Sequence, residues 1–208
     1  MVIGLSGKIR SGKSRVAKIF KKVLEKEGKT CEIKSFASPI YEIVSELYRT
    51  DVEQVKKDKR DNLIVLMNNN RYNGGAGSDF FASSYREILQ KIGTTARDRA
   101  DEDIWVNALF GYDNEKVKGD FTWTSDYWII DDVRFPNEAK RILECNGKLI
   151  RINRPDAEDN EHIIENSLND WQDWDLVIEN NISKKKKRKK ELTKIVKEFL
   201  GVQNGNGN

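Results

Sequence analysis

The chain of 208 residues has two cysteines, one histidine and no long apolar run. Cys31 and Cys145 have no CxxC partner and only His162 beside them in composition, so neither a structural zinc site nor a disulfide framework is expected; both read as ordinary semi-buried thiols. His162 sits with Glu165 in a polar stretch, and reaction chemistry built on an imidazole base is not expected. No segment is apolar over the length a bilayer requires, which predicts a protein with no membrane partner. The start, Met1-Val2-Ile3-Gly4-Leu5, enters a strand pattern at once and leaves no room for a secretory leader, so the expected location is the cytoplasm.

What is present is polar and charged: 38% hydrophobic and 34% charged residues, enough for one soluble domain with a real core. The net charge of +3 is local in origin. The run at 184–190 holds seven cations, and without it 30 basic residues face 34 acidic ones. Such a run before an amphipathic helix reads first as a solvated face, and nucleic acid is not an expected partner.

Hydrophobic periodicity predicts the order of elements. Val2 to Leu5 reads as a strand, followed by a glycine-rich loop and a helix carrying Val16, Ile19, Phe20, Val23 and Leu24 up to Gly28. A second strand is expected over 31–36, and Pro39 opens a helix with Ile40, Ile43, Val44 and Leu47. Residues 51–84, with Asn68-Asn69-Asn70 and Gly74-Gly75-Ala76-Gly77, read as a partly helical, mobile insertion. Tyr85, Ile88, Leu89 and Ile92 mark a helix interrupted at Gly93-Thr94, and Ile104, Trp105, Ala108 and Leu109 mark another. After a turn or hairpin at 114–125, Tyr127-Trp128-Ile129-Ile130 is the expected central buried strand, ending at Asp131-Asp132. A helix at Ala139, Ile142 and Leu143, strands at 148–152 and 175–178, and a closing helix at Leu192, Ile195, Val196 and Phe199 complete an α/β pattern, with 203–208 as a disordered tail.

The loop Gly7-Lys8-Ile9-Arg10-Ser11-Gly12-Lys13-Ser14 has the GxxxxGK[ST] spacing of a P-loop. Glycines let the backbone curl so that successive N–H groups face phosphate oxygens, helped by the dipole of the helix that follows. Lys13 adds a charge near the β and γ phosphates, and Ser14 is placed to bind a Mg²⁺ ion carried by the nucleotide. A chance glycine-rich turn is the alternative, and the position between a strand and a helix speaks against it. Asp131 and Asp132 end a buried strand where open α/β sheets bind ligands, and Asp132-x-Arg134-x-x-x-Glu138 brackets the same crevice. A strand-end turn followed by helix-capping charges is the other reading of that segment. Phosphoryl transfer also needs cations over the equatorial oxygens. Arg10, Arg86, Arg97, Arg134, Arg151 and Arg154 lie at element ends, with Arg134 and Arg86 the first choices. Trp105 and Gly93-Thr94 suit either a base pocket or the core.

In combination these segments resemble the bacteriophage deoxynucleoside monophosphate kinases over nearly the whole chain. The resemblance runs through the P-loop, Phe36-Ala37-Ser38-Pro39-Ile40, Leu89-Gln90-Lys91-Ile92-Gly93-Thr94 and Asp103-Ile104-Trp105-Val106. It continues in Asp131-Asp132-Val133-Arg134-Phe135-Pro136-Asn137-Glu138, Arg151-Ile152-Asn153-Arg154-Pro155 and His162-Ile163-Ile164-Glu165. It implies a P-loop NTPase fold, a mostly parallel sheet flanked by helices, forming one domain over 1–202 with 51–84 as a substrate-binding lid. It also implies transfer of the γ-phosphoryl group of ATP to a deoxynucleoside monophosphate, in the host cytoplasm if the chain is phage-encoded. ATP would then be held by Gly7, Arg10, Ser11, Gly12, Lys13, Ser14 and Arg154, and the acceptor by Ser38, Arg86, Gly93, Arg97, Trp105, Asp132, Arg134 and Glu138. Lys13, Asp132 and Arg134 would carry the catalysis, with Mg²⁺ at Ser14 and a homodimer as a possible assembly. Ile164 stands where members often carry a hydroxyl residue, so no polar contact is assigned there, and Arg97 and Arg99 are both candidates for one phosphate contact.

Two other readings compete with this one. Another small P-loop kinase, of the dephospho-coenzyme-A or phosphomevalonate type, shares the first strand, loop and helix but has a different acceptor. A nucleotide-regulated nucleic-acid-binding module would use the basic run and predicts salt-sensitive binding without phosphoryl transfer.

Overall fold

The computed structural model describes residues 1–68, 80–111, 124–155, 167–182 and 184–202. In chain order its elements are β1 (Val2–Ser6), α1 (Lys13–Lys26), β2 (Cys31–Lys34), α2 (Ser38–Leu47), α3 (Val52–Arg60), β3 (Ile64–Asn68), β4 (Phe80–Ser84), α4 (Tyr85–Arg99), α5 (Ile104–Phe110), β5 (Tyr127–Val133), α6 (Pro136–Glu144), β6 (Lys148–Asn153), β7 (Leu176–Glu179) and α7 (Lys185–Phe199). The segments expected to carry a glycine-rich turn (74–77), His162, Ile164, Glu165 and the 203–208 tail lie outside the described residues, as does most of the turn expected at 114–125.

The chain forms two compact units. The first, 1–36 with 110–208, is built on a five-stranded sheet in the order β2-β5-β1-β6-β7, with every neighbouring pair parallel. Strands buried on both faces read as continuous apolar runs, and β1 is buried along its whole length. Alternation along the strands sends Ile3, Leu5, Ile150 and Ile152 to one side, where Val16, Phe20 and Val23 of α1 and Leu192 and Val196 of α7 meet them. The Phe20 and Phe199 rings meet edge to face at 5.9 Å, joining the two helices. On the opposite side α6 packs Ile142 so close to Gly4 that a Cβ there would lie 2.6 Å from its Cδ1.

The run expected as the central strand is an interior one: β5 lies between β2 and β1, and β1 takes the middle position. The second strand ends at Lys34, two residues before the expected end, because the Ser35 hydroxyl and the Phe36 N–H are both given to Asp132. The basic run also does more than precede a helix. Its residues from 185 onward form the first turns of α7, with Lys186, Lys187, Lys189 and Lys190 exposed and Arg188 Nε donating to the Ile182 carbonyl.

Cys31 opens β2 inside the core, and burial pushes its thiol up to about 11. Neither cysteine is in a disulfide, Cys31 being buried and Cys145 half-buried. A thiol held in its protonated form is a poor nucleophile, so at pH 8 iodoacetamide should leave Cys31 unmodified in the folded protein and label it after denaturation, as peptide mass spectrometry will read.

The second unit, 37–109, has its own core of Val44, Val55, Tyr85, Ile88 and Leu89. The stretch expected to be only partly helical contains α3, whose N-cap Asp51 accepts from Gln54 N at 2.7 Å, and an antiparallel pair of β3 with β4. Ser84 and Glu87 then form a reciprocal capping box that starts α4, with the Ser84 N–H donating to Glu87 Oε2 at 2.8 Å. The expected interruption at Gly93-Thr94 does not occur, and α4 runs through it. The glycine serves packing between helices, since a Cβ there would sit 3.0 Å from Ile40 Cδ1 of α2. Thr94 turns its hydroxyl back onto the Gln90 carbonyl at 2.8 Å, the accommodation a threonine makes inside a helix.

Candidate active site

The turn between β1 and α1 is closed by the Ser11 N–H donating to the Lys8 carbonyl at 3.1 Å. Arg10 (φ 63) and Gly12 (φ 110) take left-handed backbone, and alternation of hand along a short loop turns its N–H groups toward one concavity. Gly12 precedes α1, whose amino end has no side-chain cap and no acidic residue in its first turn. Those N–H groups are thus offered to an anion from outside, with the helix dipole behind them. Lys13 folds its ammonium over the loop, donating to the carbonyls of Gly7 and of Lys8, the latter at 2.9 Å. This is the P-loop NTPase arrangement expected from the spacing.

β5 runs beside this loop and contains a bulge. Gly4 pairs with Ile130 but Ser6 pairs with Val133, so β5 spends one extra residue across Asp131 and Asp132. Bulges re-aim side chains, and the two carboxylates part company here. Asp131 is largely taken from water, which disfavours its charged form, while the nearby Ser14 hydroxyl and Lys13 charge favour it. Burial outweighs them and, with Asp132 nearby, lifts its pKa above the ordinary carboxylate value. Asp132 turns the other way, accepting from Ser35 Oγ at 2.6 Å and Phe36 N at 2.9 Å. Ser14 at the amino end of α1 and Asp131 in β5 are hard oxygen donors, a set that suits Mg²⁺, which keeps most of its coordination for water and phosphate. Among the described residues no group of three or more His, Cys, Asp or Glu is placed to hold a metal by itself.

Glu138 is 2% exposed, and its carboxylate is committed to the backbone: Oε2 accepts from the N–H of Arg134 at 2.7 Å and of Phe135 at 3.1 Å. It shapes the turn that carries Arg134 out of β5, and Pro136 is well suited to the first turn of α6 because it has no N–H to lose there. Two charge-assisted bonds from a buried carboxylate are costly to lose, so Glu138→Ala should lower stability by about 2–4 kcal/mol in a urea titration.

Arg154 Nη1 donates to the carbonyl of Arg10 at 3.3 Å, bringing two of the expected ATP ligands together. Arg151 is braced on three sides, by Ser6 Oγ at 3.2 Å, Asn169 Oδ1 at 3.1 Å and the Trp174 ring at 5.6 Å. In the second unit Trp105 is 5% exposed and its Nε1 donates to the Gly93 carbonyl at 2.9 Å, so these two expected residues do meet, α5 against α4. Ser38 is the first residue of α2, Arg86 is exposed in the first turn of α4, and Arg97 is half-buried near its end.

Two residues at the loop are not singled out by the sequence. Asp131 and Asp132 are read together from sequence, as a pair of which one could hold a magnesium water, and only the bulge tells them apart. Asn180, directly after β7, donates its Nδ2 to the Ser11 carbonyl at 2.6 Å across 169 positions of sequence. The available signal was a polar residue at the carboxyl end of a parallel strand, the edge where such sheets bind ligands.

The deoxynucleotide monophosphate kinase family model matches residues 76–190. A protein of Acanthamoeba polyphaga mimivirus that carries the provisional name deoxynucleotide monophosphate kinase is 30% identical over 197 aligned positions, covering 87% of this chain and 89% of the viral protein. Among solved structures, shikimate kinases of Bacteroides thetaiotaomicron and Aquifex aeolicus align at 12% and 14% identity with TM-scores of 0.44 and 0.43. The first alignment covers 97% of this chain and 98% of the other, the second the whole of both, and the likeness is too slight to bear on the reaction. No described helix is long and apolar enough to cross a membrane.

Proposed function

The chain belongs to the deoxynucleotide monophosphate kinase family, and from that premise we propose that it transfers the γ-phosphoryl group of ATP to the 5′-phosphate of a deoxynucleoside monophosphate, giving the diphosphate and ADP. That it is a kinase with nucleotide substrates follows from the family and the P-loop fold together. The observation that supports the finer reading is the loop itself, left-handed at Arg10 and Gly12 and covered by the Lys13 ammonium, with the buried Asp131 carboxylate close enough to feel that charge.

In this reading the loop N–H groups and the amino end of α1 hold the triphosphate, and Lys13 leaves the Gly7 and Lys8 carbonyls to meet the β and γ oxygens. Ser14 and Asp131 would hold Mg²⁺, which when bound neutralises charge on those phosphates. Arg134, presented by a turn that Glu138 fastens, adds positive charge as the acceptor oxygen attacks the γ-phosphorus and the bond to ADP breaks. Arg154 braces Arg10 on the donor side. Ser38, Arg86, Gly93, Arg97 and Trp105 remain proposals for the acceptor, as does Asp132, whose bonds to Ser35 and Phe36 give it a bracing role as well.

A panel of acceptors incubated with γ-labelled ATP tests the assignment. Label should appear in deoxynucleoside diphosphates. Label in dephospho-coenzyme A or phosphomevalonate products, with none in the diphosphates, would mean another small P-loop kinase. Salt-sensitive nucleic acid binding with no transfer at all would mean a binding module.

A further inference from the structure

Asn180 has no place in the reaction described above, yet it is among the most buried polar residues of the first unit, 2% exposed. Its main chain is tied to the sheet, the N–H donating to the Asn153 carbonyl at the end of β6 at 2.8 Å. Among the described residues its side chain makes one hydrogen bond, from Nδ2 to the carbonyl of Ser11 in the P-loop at 2.6 Å. Only an NH₂ group can meet a carbonyl, so this contact also decides which way round the amide lies. The amide oxygen, Oδ1, has no hydrogen-bond partner among the described residues. A buried polar atom left unsatisfied weakens a fold, so packing alone gives no reason to keep an amide here. The contact with Ser11 does.

We propose that Asn180 is a positioning residue that sets the orientation of the Ser11–Gly12 peptide and thereby the phosphate grip. The peptide is planar and trans, so the carbonyl of Ser11 and the N–H of Gly12 point in opposite directions. Holding the carbonyl against Asn180 turns the Gly12 N–H away from the sheet-end amide, to the side where an anion can take it. A flip of this one peptide would present a carbonyl oxygen in place of that donor and convert attraction for phosphate into repulsion. The flip is a real hazard at this point. Gly12 sits at φ 110, in left-handed backbone, and a glycine passes between the two hands of φ with little resistance. Its own side chain cannot bar the movement, because a Cβ at Gly12 would lie 2.6 Å from Asn180 Nδ2. The loop thus gives up a side chain at Gly12 to admit the amide that holds it, and the low polarity around a buried amide strengthens the single bond it makes.

The inference rests on the P-loop binding the donor nucleotide, as proposed above, and its test reads that step alone. Full-length protein with Asn180→Asp, which keeps the shape but turns an acceptor toward the carbonyl, is compared with Asn180→Leu, which keeps the bulk and removes the donor. Calorimetric titration with Mg·ATP is run well below the unfolding midpoints, alongside KM for ATP and for the best deoxynucleoside monophosphate. Both variants should bind ATP at least tenfold more weakly and raise KM for ATP by a similar factor, while KM for the acceptor stays within twofold. ATP affinity within twofold of wild type in either folded variant overturns the proposal, since a merely structural asparagine would lower the midpoint and leave affinity alone. If a variant fails to fold, the wild-type protein decides: ATP must shift the Gly12 amide resonance, and an unmoved Gly12 amide overturns the proposal. A wild-type protein that binds ATP but makes no deoxynucleoside diphosphate would sink the proposed reaction and leave the Asn180 comparison intact. One that binds no ATP sinks both.

Discussion

Lys13→Ala is expected to lower turnover by about 10²–10³-fold or more, the scale on which a single preorganised charge-stabilising donor acts, while the thermal midpoint moves little. The two halves of that expectation have separate causes. Lys13 opens α1, where alanine is the best helix former, and water can take the place of its ammonium at the carbonyls of Gly7 and Lys8. Nothing in the core depends on it. In the proposed reaction, however, its charge would follow the γ-phosphoryl group, and Lys13 is the cation at the amino end of α1 whose ammonium folds over the loop. Steady-state kinetics beside a melting curve checks both halves, and near-normal turnover would remove the donor-side role given to Lys13.

A Gly7→Ala substitution, a change of one methyl group, should be far more damaging to the fold. Gly7 leaves β1 at φ 151, and a Cβ there would run into the carbonyl oxygen of Ile152 and come within 2.7 Å of Ser11 Oγ. The first obstacle is the backbone of β6, a strand hydrogen-bonded on both sides, which cannot turn aside as a side chain would. The second obstacle, the Ser11 hydroxyl, is a side-chain group but is fully buried, which leaves it little room to turn aside. Overpacking and an unfavourable φ each cost about 1–3 kcal/mol, so a loss of about 2–5 kcal/mol in a urea titration is expected, with nucleotide binding lost in the fraction that folds. A variant that keeps wild-type stability and binds ATP would show that the loop has freedom this packing denies it.

These two residues were legible from the start because the P-loop is contiguous: eight neighbouring positions carry the whole signal, and the backbone reads them locally. The α/β pattern was legible for a similar reason, each strand and helix having its own periodicity. What escaped depended on partners distant in the chain. Gly93 looked like a helix break because glycine is a poor helix former, and only the Ile40 methyl packed against it explains why α4 continues. The antiparallel pairing of β3 with β4 was not legible, since a strand of five residues does not name its partner in its own sequence. Asp131 and Asp132 are chemically identical and adjacent, and the extra residue in β5 that separates their directions cannot be seen without β1 beside it. The alternative of helix-capping charges for Asp132-x-Arg134-x-x-x-Glu138 also found a place. Glu138 binds the backbone of the turn, whatever the acceptor does with Arg134.

The chain leaves the sheet-bearing unit after Phe36 and returns to it at Phe110, and these two rings lie 6.1 Å apart, with Phe110 in turn 6.1 Å from Trp128 of β5. Exit and re-entry are therefore neighbours, fastened by aromatic contacts that belong entirely to that unit. Residues 37–109 are in this sense a cassette spliced into one gap of an otherwise continuous fold. A short flexible linker from Phe36 to Phe110 should close the gap without disturbing strand order, and the phosphate grip would then be separable from whatever the cassette contributes.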